Sequence, residues 1–329
     1  MYKKNLLVFS NGEKIGDGLI KLPFLNEIKK RLPDYKLIWI TDKGKTVYNH
    51  ELKNISNQFI DEILEQAKLS PFFWKKISSS FDLEKRKFDY ILDTQKAVSR
   101  TIALKRIRSK FFISSSASGF FSNLKINKIK SSKRRYYLED LYDLLDSIKK
   151  DDIDTNYKIP IPQNLYQLLK KIFKDNFSYI GIAPGAGEAN KIWPIENFIE
   201  VGKFFQTKSN KIVFFLGPQE QHIKKKLKDI FPESILPEEE IFGFSGPEIV
   251  MASTKYLKCA LTNDSGISHM LSTNQCPIIK LFGPKNANKF SPKNNKIINI
   301  SSTDFGNNDI KSIKKEYVIN KMQKIIEDY

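Results

Sequence analysis

A chain of 329 residues holds material for two domains or one large one, and 40 % hydrophobic with 12 % aromatic residues exclude a disordered polypeptide. No apolar run approaches the roughly 20 residues of a membrane-spanning helix, and Cys259 and Cys276 lack ligand-like spacing, so buried free thiols are expected rather than a disulfide or metal site. The formal net charge of +18 favours an anionic partner (nucleic acid, a phosphorylated substrate or an acidic membrane face), but the basic residues are spread along the chain, and charge alone leaves the choice open.

The first apolar stretch, Lys4 to Ser10, is too short for a signal-peptide core and is broken by the polar run Gly12 to Asp17. It reads as a strand, and a cytoplasmic protein is the expectation. A loop punctuated by Gly12, Gly16 and Gly18 leads into a helix in which Leu22, Leu25, Ile28 and Leu32 recur near a period of 3.6, closed by Pro33-Asp34. Lys36 to Thr41 is a second strand, which completes the βαβ unit of a parallel sheet. The glycines do not fit G-x-G-x-x-G. Asp17, between two glycines at the carboxyl end of the first strand, stands where open α/β sheets bind ligands; capping of the helix is the competing role. Phe59 to Leu69 reads as helical. Pro71-Phe72-Phe73-Trp74-Lys75-Lys76 reads as a satellite core cluster in preference to an exposed binding surface. Then come a strand at Phe88–Asp93, a helix through Arg100 to Arg108, a strand at Lys110–Ser114, a basic surface loop from Lys125 to Arg135 and an amphipathic helix from Tyr136 to Ile148.

The polar segment Asp151 to Pro162 ends in the stiff repeat Ile159-Pro160-Ile161-Pro162 and marks a boundary between domains at 1–158 and 159–329. A helix from Gln163 to Lys174 introduces the second. Its strands read as Tyr179–Ala183, Lys211–Leu216, Tyr256–Leu261, Pro277–Phe282 and Lys296–Ile300, separated by helices that include one headed by Trp193-Pro194 and one opened by Gly246-Pro247. The helix from Ile313 to Tyr329 closes the chain. Both halves are α/β and doubly wound.

The stretch Thr262-Asn263-Asp264-Ser265-Gly266-Ile267-Ser268-His269-Met270 lies between two apolar runs and reads as a strand, turn and helix. A helix starting near Gly266 would aim unpaired N–H groups and the positive end of its dipole at the space above the sheet, where an anion such as a phosphate binds. Gly185 to Ile192 approaches G-x-x-x-x-G-K-[ST] but fails it at Asn190 and Ile192, so a P-loop nucleotidase is not expected. There remains a glycine turn with Lys191 close behind, either an anion-holding point charge or a solvated surface lysine. Asp264, Ser265 and His269 invite a hydrolase reading, but neither Ser265 nor Ser268 sits in G-x-S-x-G, and capping explains them more simply. His50, His222 and His269 share no metal-ligand spacing, and no metal is expected.

Several of these segments together resemble a known family. Lys191-Ile192-Trp193-Pro194 after Pro184-Gly185-Ala186-Gly187, Leu-Gly-Pro-Gln-Glu at 216–220, the Thr262–Met270 stretch and Leu-Phe-Gly-Pro at 281–284 resemble the heptosyltransferase-like glycosyltransferases, glycosyltransferase family 9. Gly16-Asp17-Gly18-Leu19-Ile20 through Leu22-Pro23 is similar to the family's N-terminal Gly-Asp motif, and Phe88–Asp93 to its strand ending in Asp. The likeness covers the second half almost continuously and the first half in islands. Asn-Asp-Ser-Gly-x-x-His with the downstream Phe-Gly-Pro is its specific part.

The resemblance implies a GT-B architecture: two Rossmann-like domains facing a central cleft, acceptor mostly on the first, sugar nucleotide mostly on the second, and the terminal helix 313–329 folded back onto the first. It implies inverting transfer from a nucleoside-diphosphate sugar, typically ADP-heptose, to a lipopolysaccharide-core or related cell-surface glycan. The enzyme would work in the cytoplasm at the inner face of the inner membrane, its basic surface meeting anionic lipid or phosphorylated glycan. Asp17 would then be the general base. Lys191 and the N–H groups of residues 265–267 would stabilise the departing diphosphate without a metal or other cofactor. Gly185, Ala186 and Gly187 would admit the nucleotide to the backbone, and Glu220 or Gln219 would hold the ribose hydroxyls. Asp264, Ser265 and Gly266 would form the donor turn, and His269 would pack in the helix or touch a phosphate.

The chain departs from the family at Gly18, where an apolar residue is usual, and at Ala186 and Gly187, which replace hydroxyl residues of some members. Residues 43–87 show no clear match, so the acceptor is not carried over. Two alternatives stand beside this reading. A sugar-nucleotide-binding homologue without catalysis keeps the donor site. A nucleic-acid-binding protein accounts for the charge but leaves the 262–269 turn unexplained.

Overall fold

The computed structural model describes residues 4–126, 137–154, 157–273, 276–283 and 296–328. The chain divides into two compact units, Met1–Tyr157 and Lys158–Tyr329.

In the first unit the strands are β1 (Lys4–Ser10), β2 (Tyr35–Thr41), β3 (Glu62–Leu64), β4 (Phe88–Asp93) and β5 (Ser109–Ser114); the helices are α1 (Ile15–Arg31), α2 (Lys53–Ser56), α3 (Val98–Lys105) and α4 (Tyr137–Asp146). The sheet is wholly parallel in the order β3-β2-β1-β4-β5. Central strand β1 is an unbroken apolar run, Leu6-Leu7-Val8-Phe9, because both of its faces are covered. Small polar residues, Ser10, Thr41 and Ser114, end three of the strands, and they are buried.

Two expectations fail in this unit. The stretch 59–69 is not a helix but contains edge strand β3, followed by left-handed backbone at Gln66 and Lys68. Its spaced apolar residues fit either period, and pairing decides: the Leu37 N–H donates to Asp61 at 2.7 Å, and Lys36 and Arg86 both pair with Glu62. Arg86 in the main, with Lys36, outweighs the effect of burial and holds the Glu62 carboxyl at about 2.

The aromatic run is not core either. Phe72, Phe73 and Trp74 are 48 %, 84 % and 66 % exposed. Trp74 stacks on Phe72 with centroids 4.9 Å apart and meets Phe73 edge-on at 4.8 Å. Arg106 braces the loop by donating to the Ser70 carbonyl at 2.6 Å and the Lys75 carbonyl at 2.5 Å. The expected basic loop falls mostly on residues 127–135, outside the described residues.

In the second unit the strands are β6 (Ser178–Ala183), β7 (Asn210–Phe214), β8 (Leu257–Asn263), β9 (Ile278–Phe282) and β10 (Ile297–Ser301), parallel in the order β10-β9-β8-β6-β7. The helices are α5 (Gln163–Ile172), α6 (Ile195–Phe205), α7 (Gln221–Ile230), α8 (Pro237–Glu240), α9 (Gly246–Ser253), α10 (Gly266–Leu271) and α11 (Lys315–Glu327). α6 packs its buried stripe Phe198, Ile199, Val201 and Phe205 into the core. Gly202 lets it close on the next layer, since a Cβ there would stand 2.8 Å from Phe231. Terminal helix α11 sends Val318, Met322 and Ile325 into this same core and packs on α6, β8 and β9. Both cysteines are buried and free. Among the described residues no helix is long and apolar enough to cross a membrane.

Candidate functional site

The second unit gathers most of the expected residues at the carboxyl end of its sheet. β8 runs into the turn at Asp264, whose N–H donates to the Leu281 carbonyl at 2.9 Å. Ser265 is the N-cap of α10 and forms a reciprocal capping box with Ser268: the Ser268 N–H donates to Ser265 Oγ at 3.4 Å and the Ser265 N–H to Ser268 Oγ at 3.3 Å. The box uses both serines and leaves the first-turn N–H groups of Gly266 and Ile267 without intrahelical partners. A serine engaged in this way is no nucleophile, and Ser265 is held by Ser268 rather than by His269.

Asp264 is not a cap. It is buried and takes two cations: Lys191 Nζ at 2.9 Å on one oxygen and Lys280 Nζ at 3.5 Å on the other. Burial pushes its carboxyl up, but Lys280 and Lys191 together outweigh that, and the net shift is downward. Lys191 is therefore not a free surface lysine; Glu188 lies 3.7 Å from it on its more open side. His269 stands near the same charges. Desolvation, with Lys280 next, pushes its imidazole down to about 3, so it is neutral at physiological pH.

Asn263 is what draws the Gly185–Lys191 loop to this turn. Fully buried, it donates through Nδ2 to the Pro184 carbonyl at 2.6 Å and accepts the Trp193 N–H at 3.3 Å, one contact at each end of the loop. Gly283 closes the back of the loop, because a Cβ there would meet the Asn190 carbonyl at 2.8 Å. Pro284 of the matched Leu-Phe-Gly-Pro lies outside the described residues. Along the loop, Gly185 is covered: a Cβ would fall 2.3 Å from Glu220 Cδ. Glu220 thus lies across Gly185 and Gly217, partly buried, with its carboxyl raised by desolvation. Ala186 is buried, whereas Gly187 is exposed with open space on its Cβ side. The second unit so brings together Lys191, Asp264, Ser265, Gly266 and His269, and seats Glu220 on Gly185.

In the first unit Asp17 is exposed in the first turn of α1 and caps nothing; the N-cap is Lys14, which makes no side-chain cap. The departure at Gly18 has a steric cause. A Cβ there would sit 2.4 Å from Val47 Cγ2, and the buried Tyr48 hydroxyl donates to the Gly18 carbonyl at 2.8 Å. Val47 and Tyr48 fill the space that an apolar side chain would take, which fixes the turn bearing Asp17. Below it Lys21 is buried and donates to Ser10 Oγ at 2.9 Å and Glu13 Oε1 at 3.2 Å, while Glu13 Oε2 has no partner among the described residues. The Asp ending β4, Asp93, is a structural residue: buried, it accepts from Thr101 Oγ1 at 2.6 Å, Ser114 Oγ at 2.8 Å and the Gln95 N–H at 2.9 Å.

Sequence reasoning missed Lys280, the Glu13–Lys21 pair and the tethering role of Asn263. Lys280 had a signal, a lone charge inside the apolar run Ile278-Ile279-Lys280-Leu281-Phe282 of a buried strand. Among the described residues no cluster of three or more His, Cys, Asp or Glu side chains is placed to hold a metal.

The model of glycosyltransferase family 9 (heptosyltransferase) matches residues 80–320. The chain is 22 % identical over 288 residues to the lipopolysaccharide core heptosyltransferase OpsX of Haemophilus influenzae, covering 85 % of this chain and 80 % of that protein. It is 23 % identical over 282 residues to lipooligosaccharide heptosyltransferase 2 of Campylobacter jejuni, at 85 % and 82 % coverage. Among solved structures, a family 9 glycosyltransferase from Veillonella parvula aligns with a TM-score of 0.72 at 20 % identity, over 100 % of this chain and 99 % of that one. E. coli heptosyltransferase WaaC with ADP aligns with a TM-score of 0.64 at 16 % identity, over 98 % and 99 %. The fold is that of the GT-B enzymes, with both Rossmann-like units present. The family match extends from the middle of the first unit, through the 263–266 turn, into the terminal helix, and the chain belongs to glycosyltransferase family 9, the heptosyltransferases, and is a glycosyltransferase.

Proposed function

We propose that the chain transfers a sugar, heptose from ADP-heptose, with inversion, onto a lipopolysaccharide-core or related cell-surface glycan. The observation that carries the donor side is the pair Lys191–Asp264 at the foot of α10, on a loop whose backbone is open at Gly187. The relatives named for lipopolysaccharide and lipooligosaccharide heptosyl transfer support the substrate class. The solved WaaC with ADP supports the nucleotide.

In this reaction Asp17 takes the proton of the acceptor hydroxyl as its oxygen attacks the anomeric carbon. The bond from that carbon to the diphosphate oxygen breaks, and Lys191 with the N–H groups of Gly266 and Ile267 receives the charge, the expected Ser265 N–H being taken by Ser268 Oγ, so no metal has to be written into the step. Gly187 gives the nucleotide access to backbone, whereas Gly185 and Ala186 of the same turn are covered. Glu220 accepts from the ribose hydroxyls. Asp264 orients Lys191, and neutral His269 lies against the phosphate.

The acceptor is lipid-linked on this reading, and the first unit offers a surface for a membrane. Phe72, Phe73 and Trp74 are exposed beside Lys75 and Lys76, a pairing of ring and cation that suits an anionic bilayer interface.

A panel of ADP-, GDP- and UDP-sugars read by thermal shift, followed by a transfer assay, tests the function. ADP-linked donors should raise the Tm, and Asp17→Asn should cut turnover by about 100- to 10,000-fold while the donor shift persists. Absence of any nucleotide-dependent shift overturns the donor site, full turnover by the variant overturns the base, and a donor shift without transfer favours the binding homologue.

A further inference from the structure

β9 is buried along its whole length, and four of its five residues are apolar; the fifth is Lys280. Its side chain is 1 % exposed, its Nζ has no hydrogen-bond partner among the described residues, and its nearest carboxylate is Asp264 Oδ1 at 3.5 Å. Burying an ammonium group with so little compensation is unfavourable. The fold does not require it to balance Asp264, because Lys191 already lies 2.9 Å from the other oxygen. One carboxylate thus serves two cations, and the two differ in kind. Lys191 comes from a short turn at residues 189–191 and keeps some exposure, whereas Lys280 is rooted in the sheet.

We infer that Lys280 is a positioning residue for donor binding: it is the counter-charge that stays with Asp264 when Lys191 leaves that carboxylate for the donor's diphosphate. This role rests on the donor site proposed above. Without Lys280, every move of Lys191 toward a phosphate would strand Asp264 as a buried, unpaired carboxylate, which costs far more than a surface charge left alone. With Lys280 in place Lys191 is free to change partners. Asp264 then carries two cations, of which the less buried, Lys191, is the one a diphosphate draws away.

The charged and titratable groups facing Lys280 are Asp264, Lys191 and His269. Burial, opposed by Asp264, pushes the Lys280 amine from its ordinary 10.5 down to about 8. In that interval the unfolded chain binds the extra proton, so this residue makes stability rise with pH from about 8 to 10.5.

The test measures ADP binding calorimetrically on the full chain for wild type, Lys280→Met and the double variant Lys280→Met/Asp264→Asn. Lys280→Met should weaken ADP binding roughly 10- to 100-fold. It should also raise the Tm at pH 7 by about 3 °C or more and flatten the rise in stability above pH 8. Removing the Asp264 charge as well should restore most of the affinity, because nothing then detains Lys191; a merely structural lysine predicts no such recovery. Wild-type affinity in Lys280→Met, or a double variant as weak as Lys280→Met, overturns the role. A wild-type protein that binds none of ADP, GDP or UDP overturns the donor reading itself, and this role with it.

Discussion

Replacing Asn263 by alanine should loosen the Gly185–Lys191 loop and the fold together. The side chain is fully buried and spans from the Pro184 carbonyl at 2.6 Å to the Trp193 N–H at 3.3 Å. Alanine leaves both of those backbone groups unpaired, and each buried orphan costs about 1–3 kcal/mol. The 2.6 Å bond belongs at the upper end of that range and the 3.3 Å bond at the lower, which gives a loss of about 3–4 kcal/mol. For a unit of this size that is a fall in Tm of roughly 6–16 °C. Because the two contacts hold the two ends of the segment bearing Gly185 to Lys191, ADP affinity should fall as well. Asn263→Asp keeps the volume and the acceptor for Trp193 but turns an oxygen toward the Pro184 carbonyl, so it should be about as damaging near neutral pH. Urea unfolding and calorimetric titration with ADP read the two effects. An alanine variant within about 0.5 kcal/mol of wild type that also binds ADP normally refutes the tether, since that is the scatter expected of a neutral surface change.

Two further outcomes follow from the first unit. Gly18→Ala places a Cβ 2.4 Å from Val47 Cγ2 and should destabilise by about 1–3 kcal/mol in urea unfolding, with most of the loss recovered in Gly18→Ala/Val47→Ala; a single variant as stable as wild type would show that the turn beneath Asp17 yields. Phe73→Ser/Trp74→Ser should lower co-sedimentation with vesicles containing phosphatidylglycerol by roughly tenfold or more, with little effect on ADP binding. Equal sedimentation of wild type and variant refutes the aromatic loop as a membrane contact, and concentration-dependent dimers of the wild type alone would make it a protein interface.

What could be read from sequence divides along a physical line. Strands buried on both faces announce themselves as apolar runs, so β1, β4, β6, β8 and β9 fall within about two residues of where composition puts them. The turn at 263–266 was legible because its residue types perform local tasks: Ser265 caps a helix whichever protein surrounds it. Periodicity fails where two elements compete for the same residues, as at 59–69, where an available edge on β2 makes a strand of a segment with helical spacing. It fails again at Phe72 to Trp74, since hydrophobicity measures the tendency to be buried and not whether a partner exists. Asp93 shows a different limit. Its place at the end of a family-like strand carries no role in the sequence, and the fold supplies one: three hydrogen bonds consume it, two of them tying β4 to β5 and α3. Lys280 is the most instructive case. Its position in an apolar run is visible in the sequence as an anomaly, but its meaning depends on Asp264 being one strand away on the same side of the sheet, a relation set by the β8–β9 register and absent from any local pattern. An anomaly of this kind, a charge where the strand's own physics forbids one, is the point at which a sequence points to function before any motif does.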